Sequence, residues 1–389
     1  MTSARSDLGF YLPLMRAIRP HQEFQLEIVA TGMHLAPEFG LTVQQIEAAG
    51  FSVSHQVESL QHSDQPASVA KSIGVGVAGF SDLYSRWRPD LLLVFGDRFD
   101  MYPAALAALP MRIPVAHIGG GEITEGAIDD ALRHSLTKLS HLHFVSTIEA
   151  GERILQLGEE SWRVSVCGAL SLDTIRTIER LSPEETARRF GFDRHRPIAL
   201  VTYHPVTLEQ EHVAEQIGNL LNALDAIGVQ CLFTYPNADP GGRVIIEAVE
   251  RFCAGRTERH VVMNAGQREY VSLLGTVSVV VGNSSSGLVE SPSFALPAVN
   301  IGTRQDGRLR AANVIDCGYG VSDILAALKR ALRSEFRDGL RRLRNPYGDG
   351  YAAERIVTRL ASSTEDPNKL LRKKFVDQHT HTPLEAVVA

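Results

Sequence analysis

Short apolar runs that end in glycine or polar residues alternate along this chain with longer stretches of helical periodicity, the pattern of strands and helices in a parallel sheet. In the first half, residues 26–31, 51–56, 91–95, 113–118, 142–146 and 163–166 predict strands, and residues 10–18, 43–49, 66–86 and 150–157 predict helices between them. A further helical pattern follows Gly119-Gly120-Gly121-Glu122 and carries Asp129, Asp130, Arg133 and His134 in its first turns. Gly74, Gly76 and Gly79 lower the propensity of the 66–86 helix and predict close packing there.

The second half repeats this logic, with strands at 198–202, 230–234, 260–263, 277–281 and 298–301 and helices at 208–227, 241–252, 321–332 and 352–360. A charged, helix-like stretch at 181–195 places the boundary of two α/β lobes between residues 178 and 196. The division is 1–178, 197–350, closing helices at 351–376 and a tail, 377–389, that frays. Residues 1–9 read as a turn entering a helix with no strand before it, where a doubly wound sheet normally has its central first strand. Omitting that strand exposes the flanks of its neighbours, so the expectation is a misassigned start or a truncation. An upstream extension of about one strand length is then expected to raise stability.

The 389 residues, 44% of them hydrophobic, are enough for two cores. A net charge of -6 argues against a general nucleic-acid partner, which needs a basic face. Cys167, Cys231, Cys253 and Cys317 form no CxxC pair, so neither a zinc site nor a disulfide framework is indicated, and a reducing cytoplasm fits. No run approaches the ~18 apolar residues of a membrane span, and the first residues lack the apolar core of a signal peptide. The reading is a cytoplasmic protein with no membrane partner.

Candidate chemistry gathers at the strand ends. Gly282 to Gly287 reads GNSSSG between a strand and a helix, which offers backbone N–H groups, the hydroxyls of Ser284 and Ser285 and a positive dipole end to a diphosphate. Ordinary serine capping is the alternative. Glu290, further along that helix, suits ribose hydroxyls or is a solvated acid, and Arg304, just after a strand, adds charge to the pocket or is a surface pair. His204 before Pro205 is held toward a crevice, where a phosphate keeps it protonated; a structural role is equally open. His34 after a strand is a ligand contact or a turn histidine. Asp97, Glu122, Asp129 and Asp130 form an acid/base cluster or a magnesium site, and helix N-terminal charge alone accounts for at least one of the last pair. With neither GxGxxG after a first strand nor GxxxxGK[ST], the natural ligand is a nucleotide-linked small molecule bridging the cleft.

Ser3 to Gly9 (SARSDLG), Thr31 to Gly40 (TGMHLAPEFG), Gly96 to Asp100 (GDRFD), His117 to His141 (HIGGGEITEGAIDDALRHSLTKLSH), Tyr235 to Asp239 (YPNAD), Gly282 to Glu290 (GNSSSGLVE) and Gly302 to Arg308 (GTRQDGR) together resemble the UDP-N-acetylglucosamine 2-epimerases. The GGGE-x-TEGAIDD form is similar to the hydrolysing branch, which feeds sialic-acid-type synthesis; the non-hydrolysing branch has HVEAGLR there. The resemblance implies two Rossmann-like lobes in the GT-B arrangement, an active site in the interdomain cleft and a C-terminal helix crossing back to the first lobe. It implies that Arg5, His204, Asn237, Ser284, Ser285, Glu290 and Arg304 line the UDP site, with Asp97, Glu122, Asp129, Asp130 and Arg133 around the sugar; His34 is a further candidate for substrate binding. The implied reaction expels UDP to leave 2-acetamidoglucal, then adds water with inversion at C2 to give N-acetylmannosamine. It needs no redox cofactor and no metal, and a homodimer is the expected assembly. Two alternatives stay open: the same reaction on a UDP- or GDP-linked 2,4-diacetamido-2,4,6-trideoxyglucose, toward legionaminic-type acids, and a GT-B glycosyltransferase. An inactive nucleotide-sugar sensor is disfavoured by the intact acid/base set.

Overall fold

The computed structural model describes residues 1–37, 40–61, 66–125, 128–206, 209–236, 241–363 and 367–377. Every strand pairing is parallel, as the alternation predicts. In the first lobe β1 (Val29–Thr31) and β2 (His55–Val57) form a two-stranded sheet, while β3 (Leu92–Phe95), β4 (Val115–Ile118), β5 (Leu142–Val145) and β6 (Val164–Val166) form a second sheet in chain order. All four residues of β4 and of β5 are buried, because helices cover both faces.

The break between these sheets falls where the first strand was expected, and residues 1–3 lie in it. Thr2 bridges Ala30 in parallel, its N–H donating to the Val29 carbonyl at 3.0 Å, while the Met1 ammonium reaches the Leu93 carbonyl at 3.1 Å. Ala30 and Val94 are therefore fully buried, and the expected exposure of the neighbouring strands is not found. The turn expected over residues 1–9 is likewise corrected: a helix, Arg5–Ile18, begins at once because the Asp7 carboxylate accepts from the Ala4 N–H at 3.0 Å. Of the three glycines in the helix Pro66–Arg86, two pack closely: a Cβ on Gly76 would lie 2.8 Å from Pro103, and one on Gly79 2.8 Å from Val57, whereas Gly74 faces open space.

The second lobe holds β7 (Ile198–Thr202), β8 (Gln230–Thr234), β9 (Arg259–Val262), β10 (Val279–Gly282), β11 (Ala298–Ile301) and β12 (Val314–Cys317), ordered β9-β8-β7-β10-β11-β12. This is the Rossmann order, and its switch point, where ligands bind, lies between β7 and β10. There Thr202 pairs with Gly282, whose φ of 131° brings it so close to the Thr202 carbonyl that no Cβ could fit.

The chain returns to the first lobe through the helix Ala352–Ser363, which packs on Arg5–Ile18 and on Leu170–Thr177. Ala353, Ile356, Val357 and Leu360 share one core with Leu8 and Leu14. Two buried charges clip down the segment that follows. Arg163 donates to the carbonyls of Leu370 at 2.9 Å and Arg372 at 3.0 Å, and Glu159 meets Lys373 at 2.8 Å. Burial works against the charge of Glu159, but hydrogen bonds from His143, Lys138 and Lys373 hold its carboxyl down at about 2. No helix among the described residues is long and apolar enough to cross a membrane.

Candidate active site

Asp97 stands in the turn after β3, Glu122 in the turn after β4, and Asp130 in the first turn of the helix Ile128–Leu139. Arg133, one turn further along that helix, gathers them. Its side chain is only 3% exposed, and its guanidinium pairs with Asp97, lies 3.2 Å from Asp130, and donates to the Glu122 carbonyl and the Thr124 hydroxyl, each at 2.9 Å. A guanidinium therefore fills the centre of the carboxylate cluster, where the alternative reading put a magnesium ion. Among the described residues no group of three or more His, Cys, Asp or Glu could hold a metal.

The Glu122 carboxylate points elsewhere. It accepts from Ser146 at 2.8 Å and faces Arg308 of the second lobe at 3.7 Å. Arg308 also approaches the Ile123 carbonyl at 3.3 Å and the Thr124 hydroxyl at 3.4 Å, so a loop from each lobe meets in the cleft. Glu122, Ser146, Arg153, Arg308, Leu309 and Tyr347 are among the residues lining a cavity of about 270 Å³ there. Asp129 is exposed and within electrostatic reach of Arg98, which pairs with the buried Asp100 at 3.2 Å.

At the second lobe's switch point the Asn283 side chain ties the two strand ends together. It accepts from the His204 N–H at 2.7 Å and donates to the His204 carbonyl at 2.8 Å. Arg304 and Gln305 donate to the Asn283 carbonyl at 3.1 and 2.8 Å. Ser284 and Ser285 are half-buried beside them, and the Ser284 hydroxyl accepts from the Ser286 N–H at 3.4 Å. The helix that follows, Ser286–Val289, has four residues, so the cradle has little helix dipole to offer an anion and relies on N–H groups, hydroxyls and Arg304. Burial, and then the Arg304 charge, hold the His204 imidazole down at about 3. Without a ligand the neutral ring is therefore favoured; the protonated ring is the expectation for the phosphate-bound site. Glu290 is half-buried and accepts from Ser286 and, across the lobes, from Ser171; burial raises its pKa.

One expectation needs correction and two fall outside the described residues. His34 is fully buried, with one ring nitrogen 2.9 Å from the Thr2 hydroxyl and the other 2.8 Å from that of Thr42. It braces the sheet seam and presents no ring nitrogen to the cleft. Asn237 and the Arg5 side chain lie outside the described residues. The sequence reading assigned no role to Arg308, Thr124, Ser146 or Arg98. Arg308, four residues beyond Arg304 in GTRQDGR, was the one with a signal, a second arginine in the same strand-end loop.

The UDP-N-acetylglucosamine 2-epimerase family matches residues 16–361. The hydrolysing GDP/UDP-N,N'-diacetylbacillosamine 2-epimerase of Campylobacter jejuni is 36% identical over 97% of this chain and 98% of its own. The hydrolysing UDP-N,N'-diacetylbacillosamine 2-epimerase of Legionella pneumophila is 34% identical over 91% and 93%. In fold, the crystal structure of the Neisseria meningitidis UDP-GlcNAc 2-epimerase bound to UDP-GlcNAc superposes with a TM-score of 0.79, covering 93% of this chain and 98% of that one at 18% identity. The chain belongs to the UDP-N-acetylglucosamine 2-epimerase family, with two Rossmann-like lobes in the GT-B arrangement.

Proposed function

We propose that this chain is a hydrolysing 2-epimerase of a nucleotide-linked 2-acetamido sugar. One observation carries the reading: Glu122 of the first lobe faces the arginine loop of the second, so a base and a diphosphate cradle meet across one cleft. The C1–O bond breaks with its electron pair going to the β-phosphate, and an oxocarbenium-like centre forms at C1. Glu122 takes the now acidic proton from C2, and the C–H pair closes the C1=C2 bond. Ser284, Ser285, Arg304 and His204 stabilise the departing diphosphate. Water then adds hydroxide to C1 while a proton returns to C2 on the opposite face, with Asp97, Asp129 and Asp130 the candidates for its donor. Arg133 fixes Asp97 and Asp130 in place. Arg5 and Asn237 complete the nucleotide site, Glu290 serves the ribose, and the protein works as a cytoplasmic homodimer.

The names of the Campylobacter and Legionella relatives support the 2,4-diacetamido-2,4,6-trideoxy sugar over N-acetylglucosamine as the substrate. Proton NMR in deuterium oxide with each UDP-sugar tests both points. A free, C2-deuterated, inverted sugar with UDP is the expected product, formed faster from the diacetamido substrate. An inverted sugar still linked to UDP, or no reaction on either substrate without an acceptor, would overturn the reading.

A further inference from the structure

The loop after β11 carries two arginines that serve opposite walls of the cleft. Arg304 lies at the anion cradle, 3.1 Å from the Asn283 carbonyl, and Arg308 leaves its own lobe for Glu122. Gly307 makes the approach possible. Its φ is 79°, and a Cβ there would stand 2.7 Å from the Ile123 side chain. The guanidinium of Arg308 is braced by the Ile123 carbonyl and the Thr124 hydroxyl and stops 3.7 Å short of Glu122, beyond hydrogen-bond distance. A permanently charged group thus sits beside the carboxylate without capping either oxygen. The same Thr124 hydroxyl accepts from Arg133, and the Thr124 N–H donates to Asp130 at 2.7 Å, so the cation also touches the network that holds the other carboxylates. Tyr347 anchors the far end of the loop by donating to the Leu309 carbonyl at 2.8 Å.

We propose that Arg308 is a positioning residue that couples occupation of the diphosphate cradle to the placement of the Glu122 turn across the cleft. The leaving group draws on Arg304, the short loop moves as one piece, and Arg308 sets residues 121–124 against the sugar. The catalytic half of this proposal rests on the hydrolysing-epimerase reading above; the coupling itself does not.

The test compares wild type with Arg308→Gln and Arg308→Lys, each first shown to unfold at the wild-type temperature; Gly307→Ala is the second route to the same break should Arg308→Gln fail to fold. Without turnover, hydrogen exchange of residues 121–124 is followed as UDP is added. UDP slows exchange in wild type and in Arg308→Lys, but not in Arg308→Gln or Gly307→Ala. With turnover, Arg308→Gln lowers kcat about a hundredfold while the UDP dissociation constant stays within about twofold, and Arg308→Lys restores at least about a tenth of the lost kcat. Equal slowing of exchange in wild type and Arg308→Gln overturns the coupling. A loss of UDP affinity in step with kcat makes Arg308 a diphosphate ligand and overturns it as well. An inactive wild type that still shows UDP-dependent exchange in this pattern removes the functional reading and leaves the coupling standing.

Discussion

Arg133 and Asp97 come from different elements, a helix and the turn after β3, and meet as an ion pair in which the arginine is almost wholly shielded from solvent. Replacing Arg133 with leucine would strand the Asp97 carboxylate and the Glu122 carbonyl and leave Asp130 with the Thr124 N–H and His134. Removing one partner of a buried pair costs about 3–5 kcal/mol, so the urea midpoint should fall by that equivalent and turnover should be lost with it. Lysine, which keeps the charge but not the planar fork, should recover only part of either.

The buried histidines make stability depend on pH in a defined direction. His34 is held down at about 4, chiefly by burial, against an ordinary value near 6.5. Between those values the unfolded chain binds a proton that the folded one refuses, so stability is present above about 6.5 and is lost as pH falls toward 4. The contribution is roughly 3 kcal/mol over that window. His117 and His141, held at about 3 and about 4 by burial, act with the same sign. Burial raises the Asp7 carboxyl, which acts with the opposite sign and loses its contribution as pH rises through its folded value. Melting temperatures measured from pH 7 to pH 4.5 should fall, and His34→Gln should flatten the curve.

Asn283→Ala would leave a buried N–H and a buried carbonyl of His204 without their partner. The expected cost is about 1–3 kcal/mol in unfolding free energy. UDP affinity, read by calorimetry, should drop with it, because β7 and β10 would no longer hold the cradle closed.

Gly121 has φ 75° and lies against the Ala150 carbonyl with no room for a Cβ. Gly121→Ala must push the Glu122 turn away from the helix Ile148–Gln156 and break the Arg153 bond to the Gly121 carbonyl. A kcat loss larger than the change in UDP affinity is expected, together with a lower melting temperature.

Much of this was legible in the sequence where burial is continuous. Ile198–Thr202, Gln230–Thr234 and Ala298–Ile301 have the bounds predicted for them, because interior parallel strands are covered on both faces and their centres are continuously apolar. β12 left no such trace. It is an edge strand in which Ile315 is the buried residue and Asp316 pairs with Arg310, so its pattern reads as a loop. Leu170–Thr177 and Gln267–Leu274 bury Asp173, Thr174 and Ser272 among their apolar residues, which blurs the helical stripe. Asp97, Glu122 and Asp130 could be found because strand ends and helix starts are local features. That Arg308 would face Glu122 is a fact about two lobes, and no window of sequence contains both. His34 went the other way, since its position resembles a ligand contact and only tertiary packing shows both nitrogens taken.

The core that Leu8 and Leu14 begin is finished by Ile356, Leu360 and Leu370, with the second lobe's whole sheet, β7 to β12, lying between them in the chain. On the ribosome, then, the lobe made first cannot be completed first. Its apolar face waits uncovered while β7 to β12 emerge and close on themselves, and the helices Ala352–Ser363 and Pro367–Leu371 seal it only afterwards. A nascent chain stalled before residue 352 should therefore hold a settled second lobe beside a sticky first one. Chaperone demand and aggregation should peak in that interval, and a nonsense change in those helices should lower the yield of folded protein without touching a single residue of the cleft.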